Sequence, residues 1–463
     1  MLTFASRRVP VNAISAAFAS ISVLVITSDF HLALLVFVLI FIGFAKPADS
    51  ELPITQVILG LYLYLFVFRF CVISLYGINP KLGRVEISIE DMRYMLVVVS
   101  YEVLVIILIL RSFKKPESKN PAKLILNNWL LSRNSFVLLQ FLFFCTITGF
   151  FLMLVTTGSL NLLVEMLFSH RKITITQDPV WQLGLSLWSL FSTPYLTLSL
   201  MRYLKQQNVG VSKFFPFQTI LILLVLIFVF GGRLGILIAC VVTFSISKYA
   251  GLQIRKIWLL YGILTAVLFL AIGNARIGMQ NNFLNLKKTL ISATYPVLDA
   301  SALAFGAPSN ISDQLKSEDR LPSYLVSFIP RFFWPEKPLL TSMTLDTQIA
   351  QIFGYENQRG VTGWPSGIAT EPYLMGGVSG VLIYAVLLGV ILKATSQRCT
   401  MQSSSRLEGS VFVNQFCLFY FLIAILKDGD TLAAFQSGIR LLIWLKFLLV
   451  IVQLFQKVFL RGA

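Results

Sequence analysis

The sequence predicts an all-α polytopic membrane protein with about twelve transmembrane helices and one large loop outside the membrane. Hydrophobic residues make up 56% of the 463 residues, and charged residues only 13%, about half the share of a soluble protein. The mean hydropathy is +0.79. A soluble core cannot hide that much apolar surface, so lipid must be the solvent for most of the chain.

The apolar runs set the number of predicted spans. A membrane-spanning helix needs about 20 mostly apolar residues. Twelve candidates run at roughly 11–28, 31–46, 53–76, 92–110, 135–157, 180–201, 215–231, 234–250, 257–273, 373–392, 410–427 and 437–457. The seventh and eighth are divided by Gly231, Gly232 and Arg233. The undivided run would be too long for one tilted helix. The first run resembles a signal peptide, but it lacks a clear cleavage site and is predicted to stay as a helix.

The basic residues predict the orientation. The formal net charge is +17. If Arg7 and Arg8 are cytoplasmic, the connections on their side hold twenty basic and four acidic residues, and the rest of the chain holds 18 basic and 17 acidic residues. Cytoplasmic loops of membrane proteins collect Lys and Arg. Both termini are therefore predicted to be cytoplasmic, and the charge does not indicate a nucleic-acid partner.

This topology divides the chain into three parts. Residues 1–273 form a membrane bundle of about nine helices, and residues 373–463 form about three more. Between them, residues 274–372 form a large polar segment on the outer face. It carries eight basic and eight acidic residues together with Trp334 and Trp364. We expect a folded, membrane-apposed cap that is large enough to hold a site by itself.

Common catalytic and binding motifs are absent from the sequence. There is no Walker A motif or dinucleotide-binding glycine pattern, and no nucleophile elbow. The chain has two histidines, His31 and His170, and its five cysteines show no metal-ligand spacing, so neither a zinc site nor a disulfide framework is predicted. The sequence predicts no cofactor and no metal, and it argues against an ATP-driven pump or an enzyme that uses nucleotide sugars.

A set of basic residues at the outer membrane edge is the main chemical signal. Arginine offers a planar fork that matches phosphate oxygens. The set suits a lipid-linked diphosphate, although any one member could instead extend to lipid head groups. Its members are Arg233, Arg276, Arg331, Lys337, Arg359 and Arg440.

Arg331 and Lys337 lie in a proline-framed stretch, Pro330–Pro338, with the sequence PRFFWPEKP. Because prolines fix φ and remove backbone donors, this stretch is expected to be a rigid strap. A purely structural role for it remains open.

Two acids are candidate general bases. Glu371 stands at the entrance of the tenth predicted span, and Asp299 follows Tyr295-Pro296 in the outer segment. A carboxylate beside arginines can accept a proton from a hydroxyl. A salt-bridge role is an equal alternative for each, Asp313 is a weaker candidate, and His170 is a further possible base. Within the spans, Arg69 and Glu102 are expected at similar depth, which predicts an ion pair between them.

With these elements, the chain resembles bacterial oligosaccharide repeat-unit polymerases, the Wzy-type O-antigen polymerases. The resemblance rests on the Pro330–Pro338 stretch, on Thr370-Glu371-Pro372-Tyr373 leading to Gly376-Gly377, and on the topology. It implies a fold in the broad group of multi-spanning, lipid-dependent (GT-C-like) glycosyltransferases, located in the bacterial inner membrane.

The implied activity is metal-independent glycosyl transfer at the periplasmic face. Both substrates would be glycans on undecaprenyl diphosphate, and a chain-length regulator would be a possible partner. Arg233, Arg276 and Arg331 would bind the leaving diphosphate, and Glu371 or Asp299 would take the proton, with inversion at the anomeric carbon. The alternatives are an O-antigen ligase, which transfers glycan to lipid A core, and a flippase for the same lipid-linked glycan.

Overall fold

The computed structural model is an assembly of α-helices. It describes residues 9–43, 52–77, 81–82, 85–112, 121–160, 163, 178–210, 217–228, 233–252, 297–306, 349, 366–401 and 409–459. The helices in this part are α1 (Val9–Thr27), α2 (Phe30–Gly43), α3 (Ile54–Tyr62), α4 (Phe68–Tyr76), α5 (Ile89–Arg111), α6 (Pro121–Trp129), α7 (Arg133–Thr157), α8 (Pro179–Val209), α9 (Phe217–Phe228), α10 (Arg233–Ala250), α11 (Val297–Phe305), α12 (Thr370–Met401), α13 (Ser410–Asp428) and α14 (Thr431–Phe459).

The prediction of an all-α membrane protein is confirmed. Within the described part, six helical stretches are long and apolar enough to cross a membrane: Ile54–Tyr76, Ile89–Arg111, Arg133–Thr157, Thr370–Thr400, Ser410–Asp428 and Ala433–Phe455. Three shorter apolar helices accompany them. Helices lie at eleven of the twelve predicted ranges. The other predicted range, 257–273, falls outside the described residues.

The third predicted span is one continuous helix with a local widening. α3 passes into a π-helical turn, Leu63–Val67, and then into α4. Gly77, with φ 56°, ends α4 in the left-handed conformation, which glycine adopts without steric cost. A two-residue antiparallel hairpin follows, in which β1 (Lys81–Leu82) pairs with β2 (Val85–Glu86), and it leads into α5.

α7 and α8 form a close antiparallel pair. A Cβ atom on Gly149 would lie 2.7 Å from the Gly184 carbonyl oxygen, and one on Gly184 would lie 2.8 Å from the Gly149 carbonyl oxygen. Small residues let membrane helices approach at the backbone, where lipid supplies no hydrophobic driving force. Trp188 and Phe150 pack beside this crossing.

α6 is a helix that the apolar runs did not reveal. It lies in the connection between the fourth and fifth predicted spans, and its Trp129 ring stacks on Phe412 of α13 at 5.7 Å. Asn127 of α6 donates a hydrogen bond to the Ala250 carbonyl at 2.7 Å. Buried Arg202 of α8 donates to the Leu130 carbonyl at 2.9 Å. α6 and the residues that follow it thus join α8, α10 and α13 on one side of the bundle.

These contacts define two ends of the bundle. At one end, α12 and α14 begin and α13 finishes; we call this the Glu371 end. At the opposite end, Lys393 of α12 donates to the Ile109 carbonyl at 2.9 Å, and Arg111 donates to the Gly43 carbonyl at 3.2 Å. These basic residues satisfy carbonyls near helix termini, an arrangement that the helix dipole favours.

Candidate functional site

The candidate site is the cluster around Glu371 in the first turn of α12. Glu371 is buried, with 6% of its surface exposed. Its Oε2 accepts a hydrogen bond from the backbone N–H of Thr431 at 2.9 Å. The carboxylate therefore lies at the N-terminus of α14, where the helix dipole favours negative charge.

A backbone break separates Glu371 from the rest of α12. Gly376 (φ −152°, ψ 19°) and Gly377 (φ 60°, ψ −149°) are non-helical, and the Pro372 carbonyl crowds Gly380. A residue other than glycine at position 377 would be strained at this positive φ. The break leaves Glu371 on a short helical turn of its own, folded toward the start of α14.

A crossing of two glycine turns positions that short helical turn. Gly429 (φ 69°) ends α13, and Gly367 (φ 76°) precedes α12. The two backbones lie so close that a Cβ on Gly429 would overlap the Gly367 carbonyl. The Gly367 N–H donates to the Lys427 carbonyl at 3.1 Å, and the Ser366 hydroxyl donates to the Asp428 carbonyl at 3.0 Å. The start of α12 is thereby fixed to the end of α13.

Two further side chains complete the N-terminus of α14. Asp430 caps the helix, since its Oδ1 accepts from the Ala433 N–H at 2.8 Å. The Thr431 hydroxyl donates to the Tyr384 hydroxyl at 2.9 Å. Sequence reasoning missed Asp430, Thr431 and Tyr384 as site residues. An Asp-Thr pair directly before an apolar run is an N-cap signature that could have indicated the first two.

Asp299 forms a buried ion pair with Arg69. The Arg69 Nε donates to Asp299 Oδ1 at 2.9 Å, and its Nη2 donates to Oδ2 at 2.5 Å. Both side chains are buried, with 9% and 2% of their surfaces exposed. The predicted pair between Arg69 and Glu102 is therefore wrong. The apolar runs indicated depth along the helices, but not that α11 would bring Asp299 to Arg69.

This pairing changes the reading of Asp299 as a candidate general base. Both of its oxygens accept hydrogen bonds from one guanidinium, which favours the salt-bridge role that the sequence left open for Asp299. The neighbouring Ser301 hydroxyl donates to the Ser366 carbonyl, which joins α11 to the residues that lead into α12. Asp299 thus lies beside the site and stabilises the elements that position Glu371.

A second ion pair joins other elements at the same end. Arg93 of α5 pairs with Asp29, which lies between α1 and α2. Asp29 also accepts from the Leu32 N–H at 3.0 Å and so caps α2. Burial by itself raises the pKa of Asp29, but the Leu32 hydrogen bond and the Arg93 guanidinium outweigh it and leave the pKa below its usual value.

The structure locates two of the six predicted diphosphate-binding residues. Arg233 is the first residue of α10, although its side chain lies outside the described part. Arg440 is half-buried on α14, about 14 Å along the axis from Thr431 by helical rise, and it interacts electrostatically with Tyr420. The other four predicted residues, Arg276, Arg331, Lys337 and Arg359, lie outside the described residues.

The described part of the chain contains no group of three His, Cys, Asp or Glu side chains that could hold a metal ion. Comparison with known proteins finds no matching family model, no matching curated protein and no matching solved structure.

Proposed function

We propose that this protein polymerises oligosaccharide repeat units carried on undecaprenyl diphosphate. It would move the growing glycan from one lipid diphosphate onto a new lipid-linked unit. The proposal is supported by the resemblance of the Pro330–Pro338 and Thr370–Gly377 stretches to Wzy-type polymerases. It is also supported by the many apolar helices, because lipid-linked substrates must be bound beside the membrane.

The placement of Glu371 is the observation that carries the proposal. This carboxylate lies where the predicted outer loop, residues 274–372, enters the membrane bundle. The Thr431 N–H holds one of its oxygens, and the break at Gly376 and Gly377 separates it from the main part of α12. A fixed carboxylate between a polar loop and a helical bundle is well placed to meet a sugar hydroxyl above a lipid-anchored diphosphate.

The proposed reaction is a single displacement. The acceptor hydroxyl oxygen forms a bond to the anomeric carbon of the donor glycan, and the carbon–oxygen bond to the diphosphate breaks. The hydroxyl proton passes to Glu371, and the leaving diphosphate keeps the bonding electrons. Arg233, Arg276 and Arg331 would stabilise the negative charge that develops on the diphosphate, with Lys337, Arg359 and Arg440 as further phosphate-binding residues.

The finer topology belongs to the same proposal. Twelve spans would place both termini in the cytoplasm and residues 274–372 in the periplasm, in a GT-C-like arrangement within the bacterial inner membrane. The clustering of described basic residues at the end opposite Glu371 agrees with this orientation, because Lys393, Arg111 and Arg202 lie there. A chain-length regulator is a proposed partner at the periplasmic face.

The test replaces Glu371 and Arg331 and measures the size distribution of the glycan made by cells. We expect Glu371→Gln to lower polymerisation about 10²- to 10⁴-fold, the usual contribution of a general base. We expect Arg331→Ala to abolish long glycan while single repeat units still reach their acceptor lipid.

Glu90→Gln is the matched control. Glu90 is an exposed acid in the first turn of α5, and its change should leave the ladder intact. The level of each variant in the membrane must equal that of the unchanged protein. A normal ladder from Arg331→Ala or Glu371→Gln would contradict the proposal. If a variant instead accumulated long lipid-linked glycan and transferred no glycan to lipid A core, the result would indicate the ligase.

A further inference from the structure

Glu102 in α5 is a fully buried carboxyl group in the middle of a helix. None of its surface is exposed, and neither of its carboxyl oxygens has a hydrogen-bond partner among the described residues. It lies 13 residues into a helix that qualifies as a membrane span. Helical rise places it about 20 Å from the start of α5, in the membrane interior.

The other buried acids in the described part are all satisfied. Asp299 pairs with Arg69, and Asp29 pairs with Arg93. Glu371 and Asp430 accept backbone N–H groups of α14. Glu102 differs from these acids because neither of its carboxyl oxygens accepts a hydrogen bond from a described residue.

An ionised carboxylate without partners is very unfavourable in a dry interior. Moving such a charge out of water costs several kcal/mol even after the protein relaxes. A carboxyl group avoids that cost by keeping its proton. Intramembrane acids are accordingly rare, and where they occur they commonly bind protons or ions.

Among the described residues, the groups on the elements packed against α5 supply no counter-ion to Glu102. On α2, α3 and α4 they are already engaged: His31 contacts Tyr101, Tyr62 contacts Ser100, and Arg69 pairs with Asp299 of α11. Cys71 of α4 carries no positive charge. On α12, Lys393 donates to the Ile109 carbonyl near the opposite end.

Tyr384 of α12 is a polar neighbour of Glu102. Its hydroxyl is close enough to interact electrostatically with Glu102, Glu371 and Asp430. It accepts a hydrogen bond from the Thr431 hydroxyl, so its own proton stays available to donate.

From this burial and lack of partners we propose that Glu102 is a proton-binding site in the membrane interior, with Tyr384 as a polar neighbour. The carboxyl group carries its proton in the folded protein. The proton site itself does not depend on the proposed glycosyl transfer, and its test uses no glycan.

The decisive test compares the pH dependence of stability between the unchanged protein and Glu102→Gln, both full-length in detergent micelles. Glutamine imitates the protonated carboxyl group and cannot titrate. If folded Glu102 holds a proton that the unfolded chain releases, the unchanged protein loses stability relative to the variant as pH rises. The ratio of their unfolding constants then changes by about tenfold per pH unit. A ratio independent of pH would overturn the proposal.

A second measurement uses the unchanged protein and therefore does not depend on the folding of a variant. Dicyclohexylcarbodiimide is an apolar reagent that reacts with protonated carboxyl groups, and peptide mass spectrometry locates the adduct. In native membranes we expect the adduct on Glu102 and not on ion-paired Asp299, decreasing as pH rises. An adduct on Asp299 in place of Glu102 would contradict the proposal.

Tyr384→Phe tests whether the Tyr384 hydroxyl acts on Glu102. Without the phenol, the ionised form of Glu102 loses a polar neighbour, so labelling should persist to higher pH. An unchanged labelling profile would overturn this role of Tyr384. Since neither readout involves glycan, a failed polymerisation assay and a failed proton site are distinguishable.

Discussion

Gly429 and Gly367 show how two single residues position the candidate site. Each has a positive φ, which only glycine adopts readily. Their backbones touch at the point where α13 ends and the approach to α12 begins. The hydrogen bonds of Ser366 and Gly367 to the end of α13 depend on this contact, and the position of Glu371 follows from them.

We expect Gly429→Ala to reduce both stability and function. A left-handed alanine costs about 1–2 kcal/mol, and the added methyl group would also overlap the Gly367 carbonyl. The measurement is thermal unfolding of the purified protein together with the glycan ladder.

Gly210→Ala is the matched control, because Gly210 has a similar φ of 78° and nothing within 4 Å of the added Cβ. Gly210→Ala should lose only the stability that a left-handed alanine costs, and it should keep its activity. If both variants behave alike, close backbone contact at Gly429 does not position the site.

Some residues of the candidate site could be predicted from the sequence, and others could not. Glu371 could be predicted because it precedes Pro372 at the start of an apolar run. The partner of Arg69 could not, since pairing depends on which helix packs beside it. The same limit applies to Tyr384, which looks like an ordinary aromatic residue in a span until Thr431 is placed against it.

Among the elements, the pair α7 and α8 depends on two glycines on facing helices. Because Gly149 and Gly184 meet across the interface, neither position can accept a larger residue without moving the helices apart. Membrane helices rely on such close packing and on interhelical hydrogen bonds.

We expect Gly149→Ala to destabilise the protein by about 1–3 kcal/mol, the range for overpacked interiors. Its Cβ would lie 2.7 Å from both the Gly184 carbonyl oxygen and the Trp188 nitrogen, and backbone atoms cannot swing aside. Chemical denaturation in detergent micelles measures the effect.

Gly60→Ala in α3 is the control for helix propensity. Gly60 is exposed and has nothing within 4 Å of an added Cβ, so alanine should leave stability unchanged or raise it by up to about 1 kcal/mol. Equal losses from Gly60→Ala and Gly149→Ala would contradict the close-packing account.

The positions of the helices were the most predictable feature of the fold, because a spanning helix needs a long apolar run that is visible in the sequence. α6 was missed because its helical face mixes Lys123, Asn127 and Asn128 with apolar residues. The break at Gly376 and Gly377 was also missed, although a Gly-Gly pair inside an apolar run is a recognised breaker signal.

In the whole molecule, the distribution of charge and the position of the candidate site agree with the same proposed orientation. The predicted cytoplasmic connections carry a net charge of +16, and the rest of the chain carries +1. Two basic residues of these predicted cytoplasmic connections, Lys393 and Arg111, lie at the end opposite Glu371. The strong basic balance thus agrees with the proposed orientation in the membrane, and the proposal of an anionic substrate rests on a few arginines of the predicted outer side.

The central claim is that this chain by itself joins lipid-linked repeat units. The most direct measurement reconstitutes the purified full-length protein in liposomes with undecaprenyl-diphosphate-linked single units and resolves the products by size. We expect a ladder of glycans that forms without lipid A, nucleotide sugar or a second protein. The Glu371→Gln variant should not produce this ladder. Single units that remain unjoined by active, folded protein would contradict it.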